Sequence, residues 1–209
     1  ALGPIAPWAV SSNPNPGAPA VILFTSGTEG DPKGVVLSHR NIVANVHQIL
    51  AHVPEALRLD DILFSPLPTF HCFGLTAGAL LPLLGGMRSV LHPSPLQTKL
   101  IPKRVQETGA TFLFATDTFL NQYIRACTGD ELGNLRYAVC GAERVRDETR
   151  QLVRRRFNVE LLEGYGATEA APVISVNQPN HNHHGTVGRI LPGMEVMFEP
   201  VPGIGFGVA

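Results

Sequence analysis

Charge of one sign is what this sequence most lacks. Its 16 Lys and Arg stand against 17 Asp and Glu, a formal net charge of −1, and charged residues make up 16% of the 209. That balance excludes a globally basic surface, and with it the usual attraction to nucleic acid or an anionic membrane. Cysteine is also scarce. Cys72, Cys127 and Cys140 are an odd number without CxxC spacing, which argues against a disulfide framework and fits reduced thiols in a cytoplasmic compartment. Apolar runs are short. The longest, residues 73–84, contains Pro82 and predicts a buried helix in a soluble chain, not a membrane span. Residues 1–19 are rich in Pro, Ser and Asn and lack a charged-then-apolar leader, so they read as a linker or tail. The closing run, VPGIGFGVA, carries no final helix or strand, which suggests a boundary inside a larger protein. No internal repeat is present.

What is abundant is apolar sequence broken by turns. Hydrophobic residues reach 44%, and 21 Gly and 18 Pro are scattered between the apolar runs, as suits a globular core with many turns. Short β-branched or apolar runs at 20–25, 34–37, 62–65, 88–91, 111–115, 135–140 and 159–163 predict strands. Between them, helical spacing predicts helices at 41–52 (capped by Ser38), 75–84 (ended by Gly85 and Gly86), 99–107 (stopped by Gly109), 118–126 and 147–157. The alternation predicts an α/β fold with a mostly parallel β-sheet flanked by helices. Ligands bind such sheets beyond the carboxyl ends of their strands. The most distinctive segments, 25–34, 66–73, 141–143 and 164–169, each follow an expected strand.

The first of these segments carries the hydroxyls of Thr25, Ser26 and Thr28, then Gly27, Glu29, Gly30, Lys33 and Gly34. Glycines let the backbone come close to a ligand. Exposed N–H groups and hydroxyls can then cradle phosphate oxygens while a lysine adds point charge. The run is not GxxxxGK[ST], so the P-loop mechanism does not transfer. A plain glycine-rich hairpin turn explains the composition equally well.

The longer string TSGTEGDPKGVVLSH resembles the signature loop of the adenylate-forming, or AMP-binding, superfamily of acyl-CoA synthetases, luciferases and peptide-synthetase adenylation domains. LPTFHCFGL (67–75), CGAE (140–143), GYGATE (164–169) and TVGRILPGM (186–194) follow in that family's order, and the likeness runs over residues 20–203. Three stretches, TSGTEGDPKGVVLSHRNIVANVHQI, HPSPL and LLEGYGATEAAPVISVN, together with the Glu29–Gly30 pair, are most similar to the subgroup whose acyl-[acyl-carrier-protein] synthetase half is joined to a 2-acylglycerophosphoethanolamine acyltransferase.

The resemblance implies a large adenylation domain, partial over residues 20–209, and two half-reactions. A fatty acid carboxylate attacks ATP to give acyl-AMP, and a thiol of acyl-carrier protein or CoA takes the acyl group. It implies that Thr25, Ser26, Gly27, Thr28, Glu29, Gly30, Lys33 and Gly34 hold phosphate and that Thr168 bonds the α-phosphate. Gly164, Tyr165, Gly166 and Ala167 would face AMP, with Tyr165 on adenine and Gly141, Ala142 and Glu143 as the opposite wall. Glu169 would hold Mg²⁺. His71 would line the acyl channel; without the resemblance, a histidine between Phe70 and Phe73 reads as a core residue. The resemblance also allows a parent held at the cytoplasmic face of the inner membrane.

The family's ribose-binding aspartate, hinge and lysine-bearing small domain have no counterpart in the 209 residues, and no HxxxxD acyltransferase motif is present. The expectation is a chain that holds part of the nucleotide site and has little adenylation activity alone. A CoA ligase and a non-catalytic nucleotide- or acyl-binding module are the alternatives. His181, His183 and His184 fit no zinc spacing and read as a polar loop. Arg154, Arg155 and Arg156 suit a helix C-terminus. The three cysteines read as small core residues without the partners of a nucleophile.

Overall fold

The structure, a computed structural model, describes residues 15–25 and 31–199. Ser26, Gly27, Thr28, Glu29 and Gly30, most of the expected linker and the C-terminal run lie outside the described residues.

Two sheets form. Strands β1 (Pro19–Thr25) and β2 (Lys33–Ser38) pair antiparallel as a separate hairpin, with Thr25 opposite Lys33. The main sheet has β3 (Ile62–Ser65), β4 (Arg88–Leu91), β5 (Phe112–Ala115), β6 (Tyr137–Cys140), β7 (Glu160–Gly166), β8 (Val173–Val176) and β9 (Arg189–Ile190). Its order is β4-β3-β5-β6-β7-β8-β9; the pairs from β4 to β7 are parallel, and the last two are antiparallel. The mostly parallel expectation is therefore met, with two corrections. Thr25, Lys33 and Gly34 belong to the paired strands of a separate hairpin and do not follow a strand of the parallel sheet. Residues Gly164, Tyr165 and Gly166 do not follow β7; they are its last residues, where β8 pairs with them across a shift of register between Tyr165 and Gly166. Strands β8 and β9 were not expected; β9 is only two residues long.

Alternation along the central strands divides the interior. On β5, Leu113 and Ala115 face helices α3 (Ile101–Thr108), α4 (Asp117–Ala126) and α5 (Asp147–Phe157), meeting Ile101, Val105, Leu120, Tyr123, Ile124 and Val153. Phe112 and Phe114 face the other layer, with Val46 and Ile49 of α1 (His39–His52), Ala77 and Leu81. The period of two along a strand forces this split. The hairpin adds a small third cluster, in which Leu23 and Leu37 pack with Ile42, Cys72 and Ala171.

Local chemistry sets the helix ends. Ser38 caps α1: its Oγ accepts the Asn41 N–H at 3.2 Å, and Asn41 Oδ1 accepts the Ser38 N–H at 3.0 Å. Asp147 and Glu148 lie in the first turn of α5 and Arg154, Arg155 and Arg156 in its last, both favourable to the helix dipole. The helix expected at 75–84 is two elements, a π-helix at Gly74–Leu80 followed by α2 (Leu81–Gly85). Close approaches explain the wide turn: a Cβ on Gly74 would lie 2.2 Å from Pro68 O, and one on Gly78 2.3 Å from Ser65 Oγ. Asn45 of α1 clamps β8 through both amide atoms, donating to Val173 O at 2.8 Å and accepting from Val173 N at 3.1 Å. Among the described residues no helix is long and apolar enough to cross a membrane.

Candidate functional site

Strands β3, β5, β6 and β7 end on one edge of the sheet, and the segments that leave or line that edge converge. The segment 66–73 meets the 3₁₀ turn Thr168–Ala170 directly, where Thr168 Oγ1 lies 3.3 Å from Cys72 Sγ. Thr76 Oγ1 of the π-helix donates to Ala171 O at 3.0 Å, which holds the same two segments together one turn further on. Strand β2, which begins with Lys33 and Gly34, packs against the 168–170 turn. The hairpin strand that begins with Lys33 thus adjoins the turn that carries Thr168 and Glu169, and Lys33 and Glu169 are both exposed.

Beneath this rim lies a cavity of about 100 Å³. His71, Gly141, Ala142, Gly164, Tyr165 and Gly166 border it; its body is apolar, made by Phe73, Ala77, Leu81, Phe114, Val139 and Val176. An apolar body with a few polar groups at the mouth is the usual form of a small-molecule site. A π-helix along one wall is also frequent at such sites. Tyr165 is 54% exposed, and its ring stands at the mouth.

The loop after β6 is held from behind. Glu143 Oε2 accepts from Thr118 Oγ1 at 2.7 Å and from the Thr118 N–H at 3.0 Å. Arg146 N donates to buried Asp117 at 3.1 Å. Glu143 therefore turns toward α4 and is not among the residues that border the cavity; of the expected wall, only Gly141 and Ala142 are. Ala142 has φ 66°, a left-handed conformation that a residue with a Cβ adopts at a cost. The glycines at 164 and 166 answer first to β8, not to a ligand. A Cβ on Gly166 would lie 2.4 Å from Pro172 O, and one on Gly164 3.1 Å from Ser175 O.

His71 is exposed, and its Nδ1 accepts the Phe73 N–H at 3.3 Å. Hydrogen bonding with Cys72 raises its pKa against the opposing effect of burial. It borders the cavity, so the core-histidine alternative is not what the structure shows. Cys72 has two partners, His71 and Thr168, whereas the sequence reading gave no cysteine the partners of a nucleophile. Adjacency in sequence to His71 was the available clue, but Thr168 lies 96 residues away. Phe114 and Ala77 were also missed as cavity residues; period-two reading of FLFA would have placed Phe112 and Phe114 on one face, though not which face.

Among the described residues no group of three His, Cys, Asp or Glu is placed to hold a metal ion. His181, His183 and His184 lie on the loop between β8 and β9, away from this edge. Glu169 is a single exposed carboxylate at the rim. Magnesium is commonly held by one or two carboxylates with substrate phosphates supplying the rest, and a single exposed carboxylate is compatible with that pattern.

A family model described as AMP-binding enzyme matches residues 4–199. The chain belongs to the AMP-binding enzyme family. It is 31% identical over 185 residues to a probable 4-coumarate–CoA ligase 3 of Dictyostelium discoideum, covering 84% of this chain and 32% of that protein. It is 30% identical over 181 residues to a long-chain-fatty-acid–CoA ligase of Yersinia pestis, covering 85% and 32%. The chain thus spans about a third of the length of the curated relatives it matches. Its fold is that of a benzoate CoA ligase from Burkholderia xenovorans LB400, with a TM-score of 0.78 at 22% identity over 88% of this chain and 37% of that one. The α/β architecture read from the sequence is therefore that of adenylate-forming enzymes, and the relatives named are acid–CoA ligases.

Proposed function

We propose that this chain forms part of the adenylation domain of an ATP-dependent acid–thiol ligase acting on a fatty acid. The observation that carries the reading is the convergence of three sequence-distant segments, 71–73, 141–142 and 164–166, around one apolar cavity, with the Thr168–Ala170 turn joined to Cys72 and packed against strand β2. The cavity body offers carbon and ring contacts and no buried charge, which suits an acyl chain. Thr168, with Lys33 and the Thr25 hydroxyl on the adjoining hairpin, would supply what an anion needs.

In this reading the substrate carboxylate attacks the α-phosphorus of ATP, giving acyl-AMP and pyrophosphate. The attacking carboxylate is already ionised near neutral pH, so the protein's task is to bring two anions together and offset the charge that develops. Lys33 and Thr25, with Ser26, Gly27, Thr28, Glu29, Gly30 and Gly34, would hold the β- and γ-phosphates. Thr168 would donate to the α-phosphate. Tyr165 would lie against adenine, with Ala167, Gly141 and Ala142 around it and Glu143 as the brace of that wall. His71 would sit where the acyl carboxylate enters. Mg²⁺, when bound, would neutralise phosphate charge, and Glu169 is the carboxylate that would hold it.

The acceptor thiol is acyl-carrier protein on the likeness of residues 25–49, 92–96 and 161–177 to the acyl-carrier-protein synthetase subgroup, with lysophospholipid reacylation as the outlet. CoA is the second reading, favoured by the CoA ligases among the relatives. Pyrophosphate exchange with a fatty acid in the full-length enzyme tests the proposal. Lys33→Ala and Glu169→Ala should each weaken MgATP binding and slow exchange. Unchanged affinity and rate in both variants would refute the site. Acyl transfer from the same enzyme to acyl-carrier protein or to CoA, measured side by side, decides the acceptor.

A further inference from the structure

Two thiols border the cavity, and the chemistry proposed above uses neither. Cys140 is fully buried, and burial pushes its thiol up, out of the reactive range. Cys127, on the far layer, donates to Tyr123 O, and burial raises its pKa to about 12. Cys72 is different. Its Sγ receives the Thr168 hydroxyl at 3.3 Å and lies 3.9 Å from His71 Nδ1. Because Nδ1 accepts the Phe73 N–H, it is the unprotonated ring nitrogen, and the thiol shares that acceptor with the Phe73 N–H. Burial raises the Cys72 pKa, but the hydrogen bonds with His71 and Thr168 outweigh it, and the net shift is downward. Only 6% of Cys72 is exposed, yet it borders the cavity, so a small reagent reaches it through the ligand's own entrance. Thiols flanked by donors and a base are the ones that oxidise selectively.

We propose that Cys72 is an oxidative modification site, a thiol that a peroxide converts to sulfenic acid and that then obstructs the site. This rests on the reading of the cavity as the acyl and nucleotide site. The sulfur of Cys72 forms a bond to one peroxide oxygen, the O–O bond breaks, and the departing hydroxide takes the thiol proton, relayed by His71, to leave as water. Sulfur is oxidised and peroxide reduced, and the enzyme gains one oxygen atom. That atom stands between His71 and Thr168, where it displaces the Thr168 contact and crowds the rim. A thiol reductant restores the sulfhydryl.

The test treats the chain with hydrogen peroxide, traps sulfenic acid with dimedone and locates the adduct by peptide mass spectrometry. Capture is expected at Cys72 well ahead of Cys127 and Cys140, and Thr168→Val should slow it severalfold. Equal capture at all three cysteines, or none at Cys72, overturns the proposal. In the full-length enzyme, pyrophosphate exchange should be largely lost on peroxide treatment and return with reductant. In Cys72→Ser, whatever its starting rate, exchange should no longer fall; continued peroxide loss in that variant also overturns the proposal. A non-hydrolysable acyl-adenylate should block capture. Capture at Cys72 that persists with the analogue in excess keeps the modification site and instead refutes the cavity as the acyl-adenylate site.

Discussion

Replacing Arg150 by methionine should cost far more than the loss of a surface charge. Arg150 and Glu163 form an ion pair with Nη2 to Oε2 at 3.0 Å, and both side chains are under a tenth exposed. Arg150 Nη1 also donates to Leu161 O at 3.0 Å, and Glu163 Oε1 accepts the Val145 N–H at 3.0 Å. Methionine fills much of the same volume but leaves the Glu163 carboxylate buried with one neutral donor. Removing one partner of a buried pair costs about 3–5 kcal/mol, whereas replacing both by apolar residues is often close to neutral. With a urea m-value of about 2 kcal/mol/M, the single variant's midpoint should drop by about 1.5–2.5 M. In Arg150→Met/Glu163→Leu the stranded charge is gone and only the Val145 N–H is left unmatched, a cost of about 1–3 kcal/mol, so the double variant should recover stability. Urea titrations of the wild-type, single and double variants, followed by circular dichroism, provide the assay. A drop below about 0.5 M in the single variant, or additive losses in the double, would refute the argument.

Other outcomes are open to measurement. Gly166→Ala places a Cβ 2.4 Å from Pro172 O and should destabilise the chain by about 1–3 kcal/mol through overpacking; an unchanged denaturation midpoint would contradict it. Tyr123→Phe removes the donor that reaches Pro95 O at 2.9 Å from a fully buried ring and should cost about 1 kcal/mol in the same titration. Hydrogen bonds to Glu131, first from the Thr128 N–H, hold its pKa at about 2 against an ordinary 4.5. A depressed pKa stabilises the fold above the ordinary value and is lost as pH falls toward the folded one. The stability gap between wild type and Glu131→Gln should therefore shrink as pH is lowered from about 4.5 to about 2; a gap that stays constant would sink this assignment.

The elements most legible in the sequence were those with local causes. Ser38 and Asn41 mark the start of α1, Gly109 the end of α3 (φ 64°), and the run of arginines the end of α5. Strands β8 and β9 escaped notice because their stability comes from α1: Asn45 clamps Val173, and buried His52 lies 3.0 Å from Val176 O. Partners more than a hundred residues apart leave no periodic trace. Residues that border the cavity by way of a motif, such as His71, Gly141 and Tyr165, could be named beforehand through resemblance. The hydrophobic body of that cavity could not, because Ala77, Leu81 and Phe114 become neighbours only once the π-helix lies across β5. Glu143 shows the reverse: its motif was readable, yet the hydroxyl of Thr118 turns its carboxylate away from the cavity.

The alternation on β5 has a practical consequence for how this protein can change. Phe114 borders the cavity, while Leu113, its immediate neighbour, is sealed among the helices of the opposite layer. Trimming Phe114 enlarges the cavity, and trimming Leu113 only loosens the scaffold. One strand thus carries two kinds of letter: a change at Leu113 touches robustness alone, and a change at Phe114 reshapes the cavity at a cost in stability.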